Sequence, residues 1–289
     1  MFKQLLLSIC CISFSLCIHA AKVDTVEITS TFLQRKVKIA VVTPKGYQSG
    51  QATYPTLYLL HGGNGKFSDW LMAPPDKNLV HRIADEYNLI IVLPEGGAGG
   101  YYLDSPINPA SQYESFITKE VVTKVDGTYR SIKEKTGRVI CGLSMGGHGA
   151  LYLATRNPQL FCAVGSMSGA LDINTDQWDV TPERRKAIAD RQVNVWPPKA
   201  ENPAFYYNNS VVNMAEKIKT NGLPIKFDCG VDDFLISPNR ELHRRLLYNK
   251  TPHEYTERPG AHTWEYWQNA LPDHVQFFQK IWKGNGTLK

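Results

Sequence analysis

The chain has 289 residues, 43% hydrophobic and 20% charged, a balance that excludes a disordered or collagen-like polypeptide and leaves ample material for a core. That length is within the reach of one large sheet-and-helix domain, so a single domain is expected. The formal charge of +5 comes partly from scattered lysines, and no basic run interleaved with aromatics supports nucleic-acid binding.

The first element is a targeting segment. Lys3 precedes a nearly unbroken apolar stretch from Leu5 to Ile18 that ends at His19-Ala20-Ala21, the pattern of a secretory signal peptide over residues 1–20. As a membrane anchor the stretch is shorter than the roughly 20 residues a spanning helix needs. A lipid anchor on Cys17 is disfavoured by the large Leu16 before it. No second long apolar run follows, so the expected product is a secreted or periplasmic protein, residues 21–289, without stable membrane insertion.

Val23 to Thr29 and Lys36 to Thr43 alternate apolar and polar residues, predicting a leading antiparallel hairpin. The short apolar runs Thr56–Leu60, Leu89–Leu93, Arg138–Cys141, Phe161–Gly165 and Pro224–Cys229 predict strands buried on both faces. Helical spacing of apolar residues predicts helices over Asp76–Tyr87, Gln112–Lys135, Gly147–Arg156, Pro238–Asn249 and Trp264–Trp282. Strand alternating with helix implies a mainly parallel central sheet with helices on both faces, and ligands then bind beyond the carboxyl ends of its strands. Residues 174–213 break the rhythm with polar clusters, Pro197-Pro198 and the aromatics Trp178, Trp196, Phe205, Tyr206 and Tyr207. They are read as a small inserted cap of short helices, because an empty loop of that length is uncommon in a compact domain; a mobile surface excursion is the alternative.

With Cys10, Cys11 and Cys17 inside the signal, Cys141, Cys162 and Cys229 remain. An odd number cannot pair fully within one chain. Their apolar surroundings favour buried free thiols over a bridge from Cys141 to Cys162 or Cys229. No paired Cys or His has metal-ligand spacing, and no cofactor is implied.

Gly142-Leu143-Ser144-Met145-Gly146 lies directly after a predicted strand and directly before a predicted helix, the context in which Gly-x-Ser-x-Gly is a tight turn that exposes the serine hydroxyl. A serine needs a base to remove its proton. His262, in the loop Pro259-Gly-Ala-His-Thr263 before the final helix, has the position for that base, and His81, His148, His243, His253 and His274 lie in or beside regular elements as structural residues. The orienting acid should follow an intermediate strand, where Asp232 and Asp233 stand adjacent. The 29 residues from Asp233 to His262 accommodate one helix and one strand, and spacing does not choose between the two aspartates. For the oxyanion, the backbone N–H of Met145 is one donor, and His61-Gly62-Gly63 after the strand Thr56–Leu60 supplies the other at Gly63.

With these motifs the chain resembles the esterase D family of α/β-hydrolases, whose members include S-formylglutathione hydrolases, tributyrin esterases, mycolyltransferases, and feruloyl and acetylxylan esterases. The matching segments are Tyr58–Gly63 with Trp70 downstream, Tyr101–Pro106, Tyr113–Glu120, Gly142–Leu151, Gly230–Leu235 and Gly260–Trp264. The resemblance implies an α/β-hydrolase fold and places the acid three positions after the glycine, selecting Asp233. It implies a serine carboxylic-ester hydrolase whose substrate is a small-molecule or polysaccharide-linked ester, with removal of feruloyl or acetyl groups from xylan expected. Trp70, Tyr101, Tyr102 and Trp264 are the aromatics expected to meet sugar or phenolic rings. A general short-chain esterase, an acyltransferase using the same triad, and a glycan-binding protein on the same scaffold are the alternatives.

Overall fold

Eight strands and ten α-helices make up the computed structural model, which describes residues 20–288. The signal-peptide reading, with Cys10, Cys11 and Cys17, lies outside the described residues. The strands are β1 (Lys22–Ser30), β2 (Arg35–Thr43), β3 (Thr56–Leu60), β4 (Ile90–Leu93), β5 (Arg138–Leu143), β6 (Ala163–Met167), β7 (Ile225–Gly230) and β8 (Glu254–Arg258). The helices are α1 (Asp69–Met72), α2 (Leu79–Tyr87), α3 (Tyr113–Ser115), α4 (Val122–Thr128), α5 (Met145–Arg156), α6 (Pro182–Gln192), α7 (Pro203–Asn209), α8 (Ala215–Asn221), α9 (Ile236–Tyr248) and α10 (Trp264–Gly284).

The sheet order is β1-β2-β4-β3-β5-β6-β7-β8. β1 and β2 form the expected antiparallel hairpin, β2 meets β4 antiparallel, and every later pairing is parallel. This is the α/β-hydrolase arrangement. β3, β4, β5 and β6 are buried along their whole length, as strands covered on both faces must be. Because side chains alternate across a strand, Tyr58 and Leu60 join one core with α5, α8 and α9, while Leu57 and Leu59 join a second with α2 and α10.

Three elements depart from the sequence pattern. The long helix expected over residues 112–135 is shorter and carries a π-helical stretch, Phe116–Val121, between α3 and α4. It stops at Thr128 because the following residues are captured elsewhere: Arg130 accepts from Tyr54 N at 2.8 Å, and Ile132 donates back to Tyr54 O at 2.9 Å. Helix α2 starts at Leu79, not Asp76, whose carboxylate accepts from Asn78 N in a turn ahead of the helix. Strand β8, Glu-Tyr-Thr-Glu-Arg, has no apolar run to announce it, because it is the sheet's edge and only partly buried. With α9 it fills the interval between Asp233 and His262.

Cys141, Cys162 and Cys229 are buried free thiols, and burial pushes Cys162 up to about 11. Among the described residues, no helix is long and apolar enough to cross a membrane. Residues 174–213, between β6 and β7, carry α6 and α7. Trp196 anchors them, its ring 5.0 Å from Tyr101, 5.7 Å from Phe205 and 5.7 Å from Tyr206.

Candidate active site

Strand β5 delivers the chain to Ser144, whose φ of 56° and ψ of −117° are a conformation rarely adopted by non-glycine residues. Three backbone bonds hold it there: Ser144 N–H donates to Met167 O at 2.9 Å, and Ser144 O accepts from Ala170 N and His148 N at 3.1 Å each. The flanking glycines are steric necessities. A Cβ on Gly142 would stand 2.3 Å from Gly146 O, and one on Gly146 would stand 2.6 Å from His61 O. Both obstacles are backbone, which cannot swing aside.

His262 lies on the loop between β8 and α10, its ring between Phe234 at 4.4 Å and Trp267 at 4.8 Å. Its Nδ1 is 2.8 Å from Asp233 Oδ2 and 3.0 Å from Oδ1, while its Nε2 is 2.9 Å from Ser144 Oγ. An ionised carboxylate only accepts, so Nδ1 carries the proton and Nε2 presents its lone pair to the serine hydroxyl. Asp233 is buried, its Oδ1 also accepting from Leu235 N at 2.9 Å, whereas Asp232 is exposed. The structure thus separates the two aspartates that spacing leaves equivalent.

Met145 opens α5, so its N–H belongs to the first turn that lacks intrahelical acceptors. Among the described residues the N–H of Gly63 has no hydrogen-bond acceptor either. Both residues line one cleft with Ser144 and His262. His61, read in the sequence only as part of this loop, is its brace. Its Nε2 accepts from Gly96 N–H at 2.9 Å, which leaves Nδ1–H to donate to Gly62 O at 2.8 Å.

The cleft has a volume of about 330 Å³. Of the four aromatics expected to meet substrate, Tyr101 and Trp264 line it. Trp70 and Tyr102 do not. Trp70 is buried, donating its indole N–H to Leu60 O at 3.0 Å beneath Trp264, and Tyr102 is buried, donating its hydroxyl to His61 O at 3.0 Å. Both hold the loop at residues 60–63 and are withdrawn from the lining because their polar tips are committed to backbone carbonyls. Sequence reading missed Asp69, Arg184, Ile188, Arg191 and Phe234 in the lining. The spacing of residues 184, 188 and 191 is a helical face and was the available signal.

The side chains of His148, His243, His253 and His274 make their hydrogen bonds away from the serine hydroxyl. His274 Nε2 meets Asp228 Oδ2 at 2.8 Å, and His243 Nδ1 meets His253 Nε2 at 2.8 Å. His148 is buried in α5, its ring nitrogens facing Tyr101 O at 3.2 Å and Asn209 O at 2.8 Å. Among the described residues, no group of three or more His, Cys, Asp or Glu side chains is disposed to hold a metal ion.

Residues 30–278 match the model of the Esterase family. An acetyl esterase of Caldicellulosiruptor saccharolyticus is 28% identical, covering 78% of this chain and 84% of its own length. A diacylglycerol acyltransferase/mycolyltransferase, Ag85A, of Mycobacterium tuberculosis is 28% identical, covering 88% of this chain and 80% of its own. The solved structure of a ferulic acid esterase superposes with a TM-score of 0.74 at 30% identity, covering 91% of this chain and 99% of that one.

Proposed function

The chain belongs to the Esterase family and is an ester hydrolase, and from that premise we propose that Ser144, His262 and Asp233 hydrolyse carboxylic esters through an acyl-enzyme. The observation that carries this reading is the continuous contact from Asp233 through His262 to Ser144, at 2.8 and 2.9 Å, with the serine held at a strained turn. Ser144 Oγ attacks the ester carbonyl carbon as its proton passes to His262 Nε2. The carbonyl oxygen becomes an oxyanion that accepts from Gly63 N–H and Met145 N–H. Asp233 holds the imidazole tautomer and stabilises the imidazolium. Collapse of the intermediate breaks the carbon–oxygen bond to the alcohol, which leaves with the proton from His262. Water then repeats the attack on the acyl-enzyme, giving its proton to His262, and the acid departs as Ser144 Oγ recovers a proton.

The substrate we propose is plant polysaccharide bearing feruloyl or acetyl groups, xylan above all, met by a secreted enzyme whose residues 174–213 cap the cleft. Support comes from the acetyl esterase and ferulic acid esterase relatives and from Tyr101 and Trp264 in the cleft, which are disposed to stack on rings. The test is incubation of the protein with feruloylated and acetylated xylan oligosaccharides and identification of the acid released. Release of neither, with turnover of simple short-chain esters, removes the polysaccharide assignment. A second reading, transfer of the acyl group to a sugar hydroxyl, is favoured by the acyltransferase relative, and product analysis with an acceptor glycan present separates it from hydrolysis.

A further inference from the structure

The cleft beside Ser144 is walled on one side by α6, a helix that begins at the cap residue Thr181 with Pro182 in its first turn. Three of its side chains line the cleft: Arg184, Ile188 and Arg191. They fall at i, i+4 and i+7, one face of the helix. The Arg184 guanidinium lies 4.0 Å over the ring of Phe234, and that ring packs 4.4 Å from His262. A positive charge therefore stands one aromatic ring away from the imidazole facing the nucleophile. Arg191 packs its Cβ over Gly99, 3.6 Å from where a Cβ there would be, at the start of the turn that carries Tyr101.

Two lysines of the same segment are neutralised, while Arg185 donates to Trp178 O at 3.3 Å and is turned to that carbonyl, with no carboxylate partner among the described residues. Lys186 pairs with Asp190 at 2.7 Å, and Lys199 with Asp176 at 2.5 Å. Among the described residues neither Arg184 nor Arg191 has a carboxylate within salt-bridge distance. Asp233 is buried behind His262 and does not line the cleft, and Asp69, the first residue of α1, is the carboxylate that does. Asp69 Oδ2 is turned against Gly65, on the oxyanion-loop side. Hydrolysis of a neutral acetyl or feruloyl ester calls for no cation on this wall, since the developing charge is met by Gly63 and Met145 N–H. Two unneutralised guanidiniums bracketing an apolar Ile188 match a different ligand: an apolar or sugar body carrying a carboxylate, which guanidinium binds in paired hydrogen bonds.

We infer that this enzyme selects esters whose substrate bears a carboxylate beside the scissile bond, held by Arg184 and Arg191. The inference rests on the esterase reading above and specifies its substrate class. The carboxylate could belong to the alcohol side, as in a uronic acid, or to the acyl side, as in the half-ester of a dicarboxylic acid.

Two matched pairs of esters test it. On the alcohol side, 4-acetoxybenzoate is compared with methyl 4-acetoxybenzoate by release of acetate. On the acyl side, 4-nitrophenyl hydrogen adipate is compared with 4-nitrophenyl hexanoate. The expected result is a kcat/KM about tenfold or more higher for the anion in at least one pair, the scale of a charge-assisted hydrogen bond. That ratio should fall about tenfold in each of Arg184→Gln and Arg191→Gln, and it should shrink in 1 M salt, where these exposed charges are screened. The pair in which the preference appears identifies which side carries the carboxylate. An anion-to-neutral ratio at or below one in both pairs, or a preference that the double variant retains in full, overturns the inference, while turnover of the neutral esters leaves the esterase reading standing. Failure of all four esters removes that reading itself.

Discussion

Asp232 and Asp233 are one residue apart and chemically identical, yet only Asp233 is buried against the imidazole of His262. Replacing Asp233 by Asn should lower kcat on a nitrophenyl ester by about 10³- to 10⁴-fold, because the amide favours the wrong imidazole tautomer. Asp232→Asn should stay within a few-fold of the parent. Equal losses in the two variants, read from steady-state kinetics, would contradict the assignment. Ser144→Ala should remove turnover by several orders of magnitude and abolish covalent labelling by a fluorophosphonate. The motif around Ser144 and the position of His262 were legible in the chain, since glycine spacing and order along the sequence are local properties. The burial of Trp70 and Tyr102 was not, because a loop aromatic reads the same whether its polar tip faces substrate or a backbone carbonyl.

At the scale of elements, β5, the turn at Ser144 and α5 form a unit that closes against the loop after β3 with no room to spare. Gly146→Ala would force its Cβ onto the carbonyl oxygens of His61 and Leu60, at 2.6 and 2.7 Å. The expected outcome is a destabilisation of about 3 kcal/mol or more, measured by urea unfolding, accompanied by a loss of activity larger than the loss of folded protein. Wild-type stability in that variant would mean that the turn is looser than its geometry. The alternating hairpin and the buried strands were visible from hydrophobic period alone. The edge strand β8 and the early end of α4 were not, since one depends on a neighbour's free edge and the other on capture of residues 130–132 by Tyr54.

The molecule as a whole is tied together at His148, which links α5 to the turn at Tyr101 and to the end of α7 at Asn209. Burial pushes this imidazole from its ordinary 6.5 down to about 4, against the pull of the two carbonyls. The folded protein therefore keeps His148 neutral where the unfolded chain takes up a proton. Stability should be complete above about pH 6.5 and fall as the pH drops toward 4, by about 3 kcal/mol in total from this group. Urea unfolding of the parent and of His148→Gln at pH 7 and pH 4.5 checks it: the variant should lose less stability over that interval, and identical losses would refute the linkage.

What the amino-acid sequence determined by itself was the class of fold, the serine in its glycine-bracketed turn, the histidine ahead of the last helix and the two candidate oxyanion donors. Each of these is written in short-range order: a period of two or of 3.6, a glycine at a fixed offset, a loop before an element. Tertiary structure decided which aspartate meets His262, which aromatics line the cleft, and that α6 turns Arg184 and Arg191 toward Ser144. Those outcomes depend on how elements far apart in the chain are packed, because burial and the direction of a side chain are set by neighbours that the local pattern does not name.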